Sequence, residues 1–543
     1  MDTRSIRRAR ARLASRRGLA LAGAGALALT LVTPGAANAH HAPALAARND
    51  AYRISGATDV DSRHGVFGND HGDPLTLIDH TDPAHGTLAL NADGSFRYVP
   101  AKGFRGTDTF TYTVSDAVKL YTTHIAPLAT IGGVTIGGGG YGSSLTPVPG
   151  RTDEFYGLTD RGPNVDGPNG TKVEPLPSFH PQIGRFRFDG DGKAVLERKI
   201  TLRRPDGTPY TGHVNDVADT GETITDLNGK VLPADATGYD SEGLVAQRDG
   251  TFWVSDEYGP LITHFDRNGR QIGRFSPYDG SLPVELKNRV PNKGMEGLTV
   301  TPDGRTLVGI MQSALQQPDL TQKPGNVTTL RIVTVDLRSH GTHEYLYLLD
   351  DPDDTGTAVS EITALSATRF LVDERDGNFP PDAFKQIFQI DLTGATDVGP
   401  KAPGYDATKG GYLINGGSIE HTVGKQNTVT ATATLAAGGV KPVSKAPFLD
   451  VTDLLTTLDP QAKFFSHDKV EGVAQLDGGR TIVLSNDSDF GIDGLTQSAT
   501  TPFTLHAKVS PTTGGQDEGE FLAIDMTKLP AATSTATVTI SVR

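Results

Sequence analysis

The sequence predicts an all-β protein: a six- or seven-bladed β-propeller behind a small N-terminal β-sandwich. Three observations lead there. Gly 64 and Pro 34 stand beside only 7% aromatic residues, the mark of a turn-rich chain. A short module around residues 49–118 alternates apolar and polar positions. Beyond it, one strand–turn–strand unit recurs at intervals near 50 residues or twice that.

The 543 residues exceed what one compact core holds, so several units are expected. Cysteine is absent, which excludes disulfide scaffolds, thiolate zinc sites and cysteine nucleophiles. The net charge is −14, and −20 once residues 1–39 are set aside. Such acidity excludes charge-driven binding to nucleic acid or to an anionic membrane.

Residues 1–39 read as an export signal. Seven arginines precede an apolar run from Leu19 to Val32, too short to span a bilayer, and Ala37-Asn38-Ala39 offers a cleavage site. Ser15-Arg16-Arg17-Gly18-Leu19 is similar to a twin-arginine signal, an ordinary secretory signal being the alternative. The expected location is extracellular, with no membrane span and possible envelope contact through the N-terminal module.

In that module, 86–90 and 95–99 flank an Asn91-Ala92-Asp93-Gly94 turn and predict a hairpin. Residues 108–114 repeat the alternation. The stretch HGDPLTLIDHTDPAHGTLALNADGSFRYVPAKGFRGTDTFTYTVSDA resembles one cadherin-like or Ig-like repeat of bacterial surface proteins. Asp59, Asp61, Asn69, Asp70 and Asp73 are either ligands for a structural calcium or ordinary turn residues.

The repeat begins at Ser241-Glu242-Gly243, Met295-Glu296-Gly297, Ser360-Glu361-Ile362 and Val470-Glu471-Gly472, with a glutamate-free copy at Ser143-Ser144. Folding each about its turn places Glu242 opposite Asp256, Glu361 opposite Asp373, Glu471 opposite Asn486 and beside Asp487, and Glu296 opposite Met311 and Gln312. The fifth copy brings Ser143 and Ser144 to Asp160 and Arg161. All these groups then meet at one mouth of the propeller channel. Residues 131–528 are assigned to the propeller, and 529–543 to a strand closing it or a tail.

The segments YGLTDRGPN, YDSEGLVAQRDGTFWVSDEYGPLITHFDRNGR, NKGMEGLTVTPDGRTLVGIMQSAL, FLVDERDG and DKVEGVAQLDGGRTIVLSNDSDFG resemble the phytase-like domain family, "esterase-like activity of phytase". The resemblance implies a phosphoester hydrolase in which the repeated acids, Glu242, Glu296, Glu361 and Glu471, are the active groups.

Chemistry supports a metal at such a mouth. Crowded carboxylates must protonate or bind cations, and calcium accepts 6–8 oxygen ligands in loose geometry. The candidate ligands are Asp160, Glu242, Asp256, Glu296, Glu361, Asp373, Glu471 and Asp487. Arg161, Lys293, Arg375 and Lys469 interleave and would hold phosphate oxygens. His213 and His467 are candidate proton donors. A phosphate-cradling Gly-rich loop, an HExxH pair and a nucleophile elbow are all missing from the sequence. Three functions remain open: a calcium-dependent phosphoesterase, a calcium-dependent lactonase or carboxyl-ester hydrolase, and a non-catalytic secreted binding protein.

Overall fold

Short alternating strands punctuated by Gly and Asp turns fold into four-stranded antiparallel sheets. The structure, a computed structural model, describes residues 44–543 apart from 216, 219–220 and 351. The predicted export signal lies outside the described residues.

Five four-stranded sheets form the larger part, so the expected six or seven blades are corrected to five. Their inner strands are Ser144–Pro147, Ser241–Ala246, Met295–Val300, Ala358–Ala364 and Val470–Leu476. Each lies beside the next, and the fifth returns to the first. Five apolar cores fill the five spaces between neighbouring blades. Between the third and fourth, for example, Ile310 and Ile332 pack with Ile362 and Val372, all fully buried. The sequence spacings misled because the two long intervals hold insertions, not lost blades. A three-stranded sheet (Val165–Asp166, Lys172–Val173, Ile224–Thr225) decorates the first blade. The segment carrying the helices Ile419–Val423 and Thr428–Ala437 interrupts the fourth, and a hairpin (Ile492–Gln497, Thr504–Ala507) interrupts the fifth.

Ring closure is carried by both chain ends. The outer strand of the fifth blade is Val118–Thr122, paired antiparallel with Glu520–Asp525. The C-terminal strand Ser534–Val542 does not close the propeller, which corrects that expectation. It inserts into the N-terminal sandwich between Asp50–Ile54 and Gly106–Ser115. There Ala536, Val538 and Ile540 complete a core with Phe96, Tyr98, Phe110 and Tyr112. The opposing sheet contains the hairpin Gly86–Leu90 and Phe96–Pro100, with Leu90 opposite Phe96. The module's acidic turn residues do not converge on one point. Asp59 pairs with Arg97 at 2.6 Å and Asp61 with His64 at 2.9 Å. Asp70 accepts from Tyr112 Oη at 2.9 Å, and Asn69 donates to Asp50.

Glycine at the start of three inner strands lets the next blade approach. A Cβ on Gly243 would lie 2.5 Å from Leu298 N, one on Gly297 2.6 Å from Ile362 N, and one on Gly472 2.9 Å from Leu145 N. These contacts are backbone, which cannot rotate aside as a side chain would. Gly297→Ala is therefore expected to destabilise the propeller by about 1–3 kcal/mol. Urea denaturation of both proteins checks this; an unchanged midpoint would disprove the close-approach argument.

Candidate functional site

The Glu-Gly pairs do more than admit neighbours. In three blades the glutamate falls at a register shift: Ser241 pairs with Asp256 but Leu244 with Val254, Met295 with Met311 but Gly297 with Ile310, Val470 with Asn486 but Gly472 with Ser485. Glu242, Glu296 and Glu471 therefore occupy bulges, which turn a side chain out of the ladder. This corrects two expected pairings by one residue: Asp256 faces Ser241, and Asn486 faces Val470. Met311 likewise faces Met295. In the fourth blade the shift comes one residue earlier, so Glu361 does pair with Asp373.

The bulged glutamates open onto a cavity of about 480 Å³ to which all five blades contribute. Of the eight expected metal ligands, Asp160, Glu242, Glu296, Glu471 and Asp487 line it. Asp256, Glu361 and Asp373 do not. Asp256 accepts from the backbone N–H groups of Asp240, Tyr258 and Gly259 and so shapes the turn after its strand. Glu361 lies deeper and accepts from Ser144 Oγ at 2.5 Å and Leu298 N at 3.2 Å, tying three blades together. Ser144 Oγ in turn accepts from Leu244 N of the second blade. Asp373 is buried behind Arg375 without a hydrogen bond to either oxygen. Burial, outweighing the nearby Arg375 and Lys385 charges, lifts it to about 8.

Asp240, Glu242 and Glu257 each offer an oxygen within 4.8 Å of the others, and all three are buried. Of the three, the sequence spacing marks only Glu242. Asp240 and Glu257 are joined across the same turn by a backbone hydrogen bond of 2.9 Å. Both stand in the YDSEGL and SDEYG segments, and counting one bulge residue would have paired them. Asn292 completes the group. Its amide nitrogen donates to Asp240 Oδ2 at 2.7 Å and to Glu257 Oε2 at 3.2 Å; turned the other way, the amide would offer its oxygen to a cation. Buried Glu257 Oε1 and Glu296 Oε2 have no hydrogen-bond partner. Converging oxygens with unspent lone pairs are what a hard divalent cation would take up, so the donor set fits calcium.

Electrostatics agree. Desolvation, then the charge of Glu296, pushes Glu242 and Glu257 well above the carboxylate range. Desolvation and Glu471 lift Glu296 to about 7. The protein also supplies its own cations, and one of them, Arg161, lies 3.7 Å from Asp240. Arg375 is hydrogen-bonded to Glu471, and Lys469 reaches Asp489 at 2.5 Å and Asp487 at 3.2 Å. Arg161 binds Glu222 at 2.8 Å and Tyr258 Oη at 2.7 Å. Three of the four expected phosphate-holding cations are thus already engaged. Lys293 stands on the rim, exposed.

Residues 136–490 match the phytase-like family, described as "Esterase-like activity of phytase". The chain belongs to that family. Residues 40–126 match the bacterial Ig domain family, which fits the N-terminal sandwich. An "Uncharacterized secreted protein" of Arthroderma benhamiae is 31% identical over a stretch covering 33% of this chain and 44% of that protein. The match thus spans less than half the length of that relative. Virginiamycin B lyase from Staphylococcus aureus shares 11% identity, covering 86% of this chain and 98% of its own, with a TM-score of 0.25. Regucalcin from Agrobacterium tumefaciens, a calcium-binding protein, shares 9%, covering 88% and 96%, also at 0.25. Among the described residues, no helix of this phytase-like protein is long and apolar enough to cross a membrane.

Neither expected proton donor lines the cavity. His213 contacts Pro177 O at 3.2 Å and Glu174 at 3.7 Å. His467 is buried between Asp517 at 2.7 Å and Glu520 at 3.0 Å. Burial alone would lower its pKa, but the two carboxylates outweigh burial and raise it to about 9. A raised folded-state pKa contributes stability that is complete below the unfolded value near 6.5 and disappears as pH rises through about 9. The stability difference between the native protein and His467→Gln should therefore shrink from pH 6 to pH 9.5. Denaturation midpoints across that range test this; a constant difference would show that His467 is neutral.

Proposed function

We propose that the protein is a secreted, metal-dependent hydrolase of phosphoesters, with calcium as the ion. The observation that carries the reading is the Asp240–Glu242–Glu257 group with Asn292, set beside the unpartnered oxygen of Glu296 in a cavity that also exposes cations. Family membership supports ester hydrolysis. The arginine-rich leader, and the word "secreted" in the fungal relative's name, support export.

In this reading Asp240, Glu242, Glu257 and Asn292 hold the ion. Calcium there would neutralise phosphate oxygens and acidify a nearby water. Glu296 Oε2, free of hydrogen bonds, accepts the proton of the attacking water. That water's oxygen bonds to phosphorus, the phosphorus–oxygen bond to the alcohol breaks, and the departing alkoxide takes a proton from solvent. Asp160, Glu471 and Asp487 shape the far wall with Arg375 and Lys469. Asp256, Glu361 and Asp373 have framework roles.

One observation favours a second reading. Because Arg161, Arg375 and Lys469 are engaged by carboxylates, a calcium-dependent lactonase or carboxyl-ester hydrolase, which needs few free cations, also fits.

The test is inorganic phosphate release from phenyl phosphate with calcium and with excess chelator, alongside the melting temperature under both conditions. Chelator should abolish release. Glu242→Gln should lower it by roughly 100-fold or more, given the several kcal/mol a metal supplies. Calcium at 100 times its Kd should stabilise the native protein by about 2.7 kcal/mol, and Glu242→Gln should lose that gain. Hydrolysis indifferent to chelator, or calcium that leaves the native melting temperature unmoved, would refute the metal assignment. Turnover of lactones without phosphate release would favour the second reading.

A further inference from the structure

Resting on the phosphoester reading, we propose that the cavity selects substrates carrying a single phosphoryl group, and that Lys293 is the residue that holds it. Twelve carboxylate side chains line the cavity against five cationic ones. Four of the five are already paired: Arg161 with Glu222, Lys172 with Asp166 at 2.6 Å, Arg375 with Glu471, and Lys469 with Asp487 and Asp489. Among the described residues Lys293 alone of the five makes no ion pair within 4 Å. It is also placed to act: it directly follows Asn292, and its charge acts on Glu257.

The inventory limits what can enter. A phosphoryl group seated between Lys293 and a calcium ion would meet one fixed positive charge and one bound dication. A second or third phosphate turned toward the cavity wall would face Asp160, or Asp468, Asp487, Asp489 and Asp493, whose partners Lys508, Lys469 and His506 are already taken. Like charges brought together in this way disfavour the complex strongly. Recruiting Arg375 or Lys469 instead would strand Glu471 or Asp487 as a buried, unpaired carboxylate, although Asp489 would keep Lys508 at 2.7 Å. A polyphosphorylated polyol such as inositol hexakisphosphate is therefore the poorer ligand, and a phosphate ester of an otherwise uncharged alcohol the better one.

The experiment uses the full chain with saturating calcium. Inorganic phosphate is titrated by calorimetry into the native protein and into Lys293→Gln, an exposed substitution that leaves the packed interior intact. One phosphate per chain is expected, with affinity about tenfold weaker in the variant. Phosphate release is then compared for phenyl phosphate and inositol hexakisphosphate. The expected kcat/KM is at least about tenfold higher for phenyl phosphate, and Lys293→Gln should raise its KM about tenfold with kcat nearly unchanged. Faster turnover or tighter binding of the hexakisphosphate would overturn the proposal, as would phosphate affinity indifferent to Lys293→Gln. One phosphate bound through Lys293 with no ester hydrolysed would sustain the ligand class and refute the hydrolase reading, so the two fail separately.

Discussion

Like charge held out of water is the constraint on which this molecule turns. A lone buried carboxylate protonates or finds a partner, because desolvation of the charged form is expensive. The propeller mouth holds many at once, and it resolves them in two ways. On one wall Glu471, Asp487 and Asp489 receive Arg375 and Lys469. On the other, Asp240, Glu242, Glu257 and Glu296 crowd together, and burial raises all four. Among the described residues of that second wall only Asp240 has an ion-pair partner, Arg161 at 3.7 Å, and the oxygens of Asp240, Glu242 and Glu257 converge with too little positive charge among them.

Such a wall needs a rigid support. Carboxylates that repel one another would splay if their strands could move, and five inter-blade cores hold the inner strands in a closed ring. Closure depends on Val118–Thr122, which leaves the N-terminal sandwich to finish the fifth blade. The C-terminal strand returns the connection by finishing the sandwich. Lys528 reinforces the junction by donating to Asp116 and to the carbonyl of Asp73. The Ig-like module is thus a structural clasp as well as any attachment device.

Much of this was legible in the sequence, and the limits of legibility are physical. Turn-rich composition and the recurrent Glu-Gly steps marked the blades, because a glycine there is demanded by backbone of the next strand. Blade number was not legible, since an insertion and a lost blade leave the same gap between repeats. The mirror arithmetic failed by one residue at Glu242, Glu296 and Glu471, because a bulge is invisible to counting. That single residue hid Asp240 and Glu257. Asn292 was beyond reach: nothing in Pro291-Asn292-Lys293 separates a site residue from a turn until the loop is seen against the second blade.

The same bulge explains why the four repeated glutamates do not share one role. In the second, third and fifth blades the extra residue is the glutamate, which turns out to the mouth. In the fourth the irregularity falls at Ser360, so Glu361 remains in the ladder opposite Asp373 and meets Ser144 across the channel. Where its sister blades carry glycine the fourth carries Ile362, whose side chain is fully buried between the third and fourth blades. A one-residue shift has thus converted a mouth group into an axial tie. Sequence repetition conserves the residue while the hydrogen-bond register decides its chemistry, and an identical dipeptide in a propeller is evidence of position only once the bulge is known.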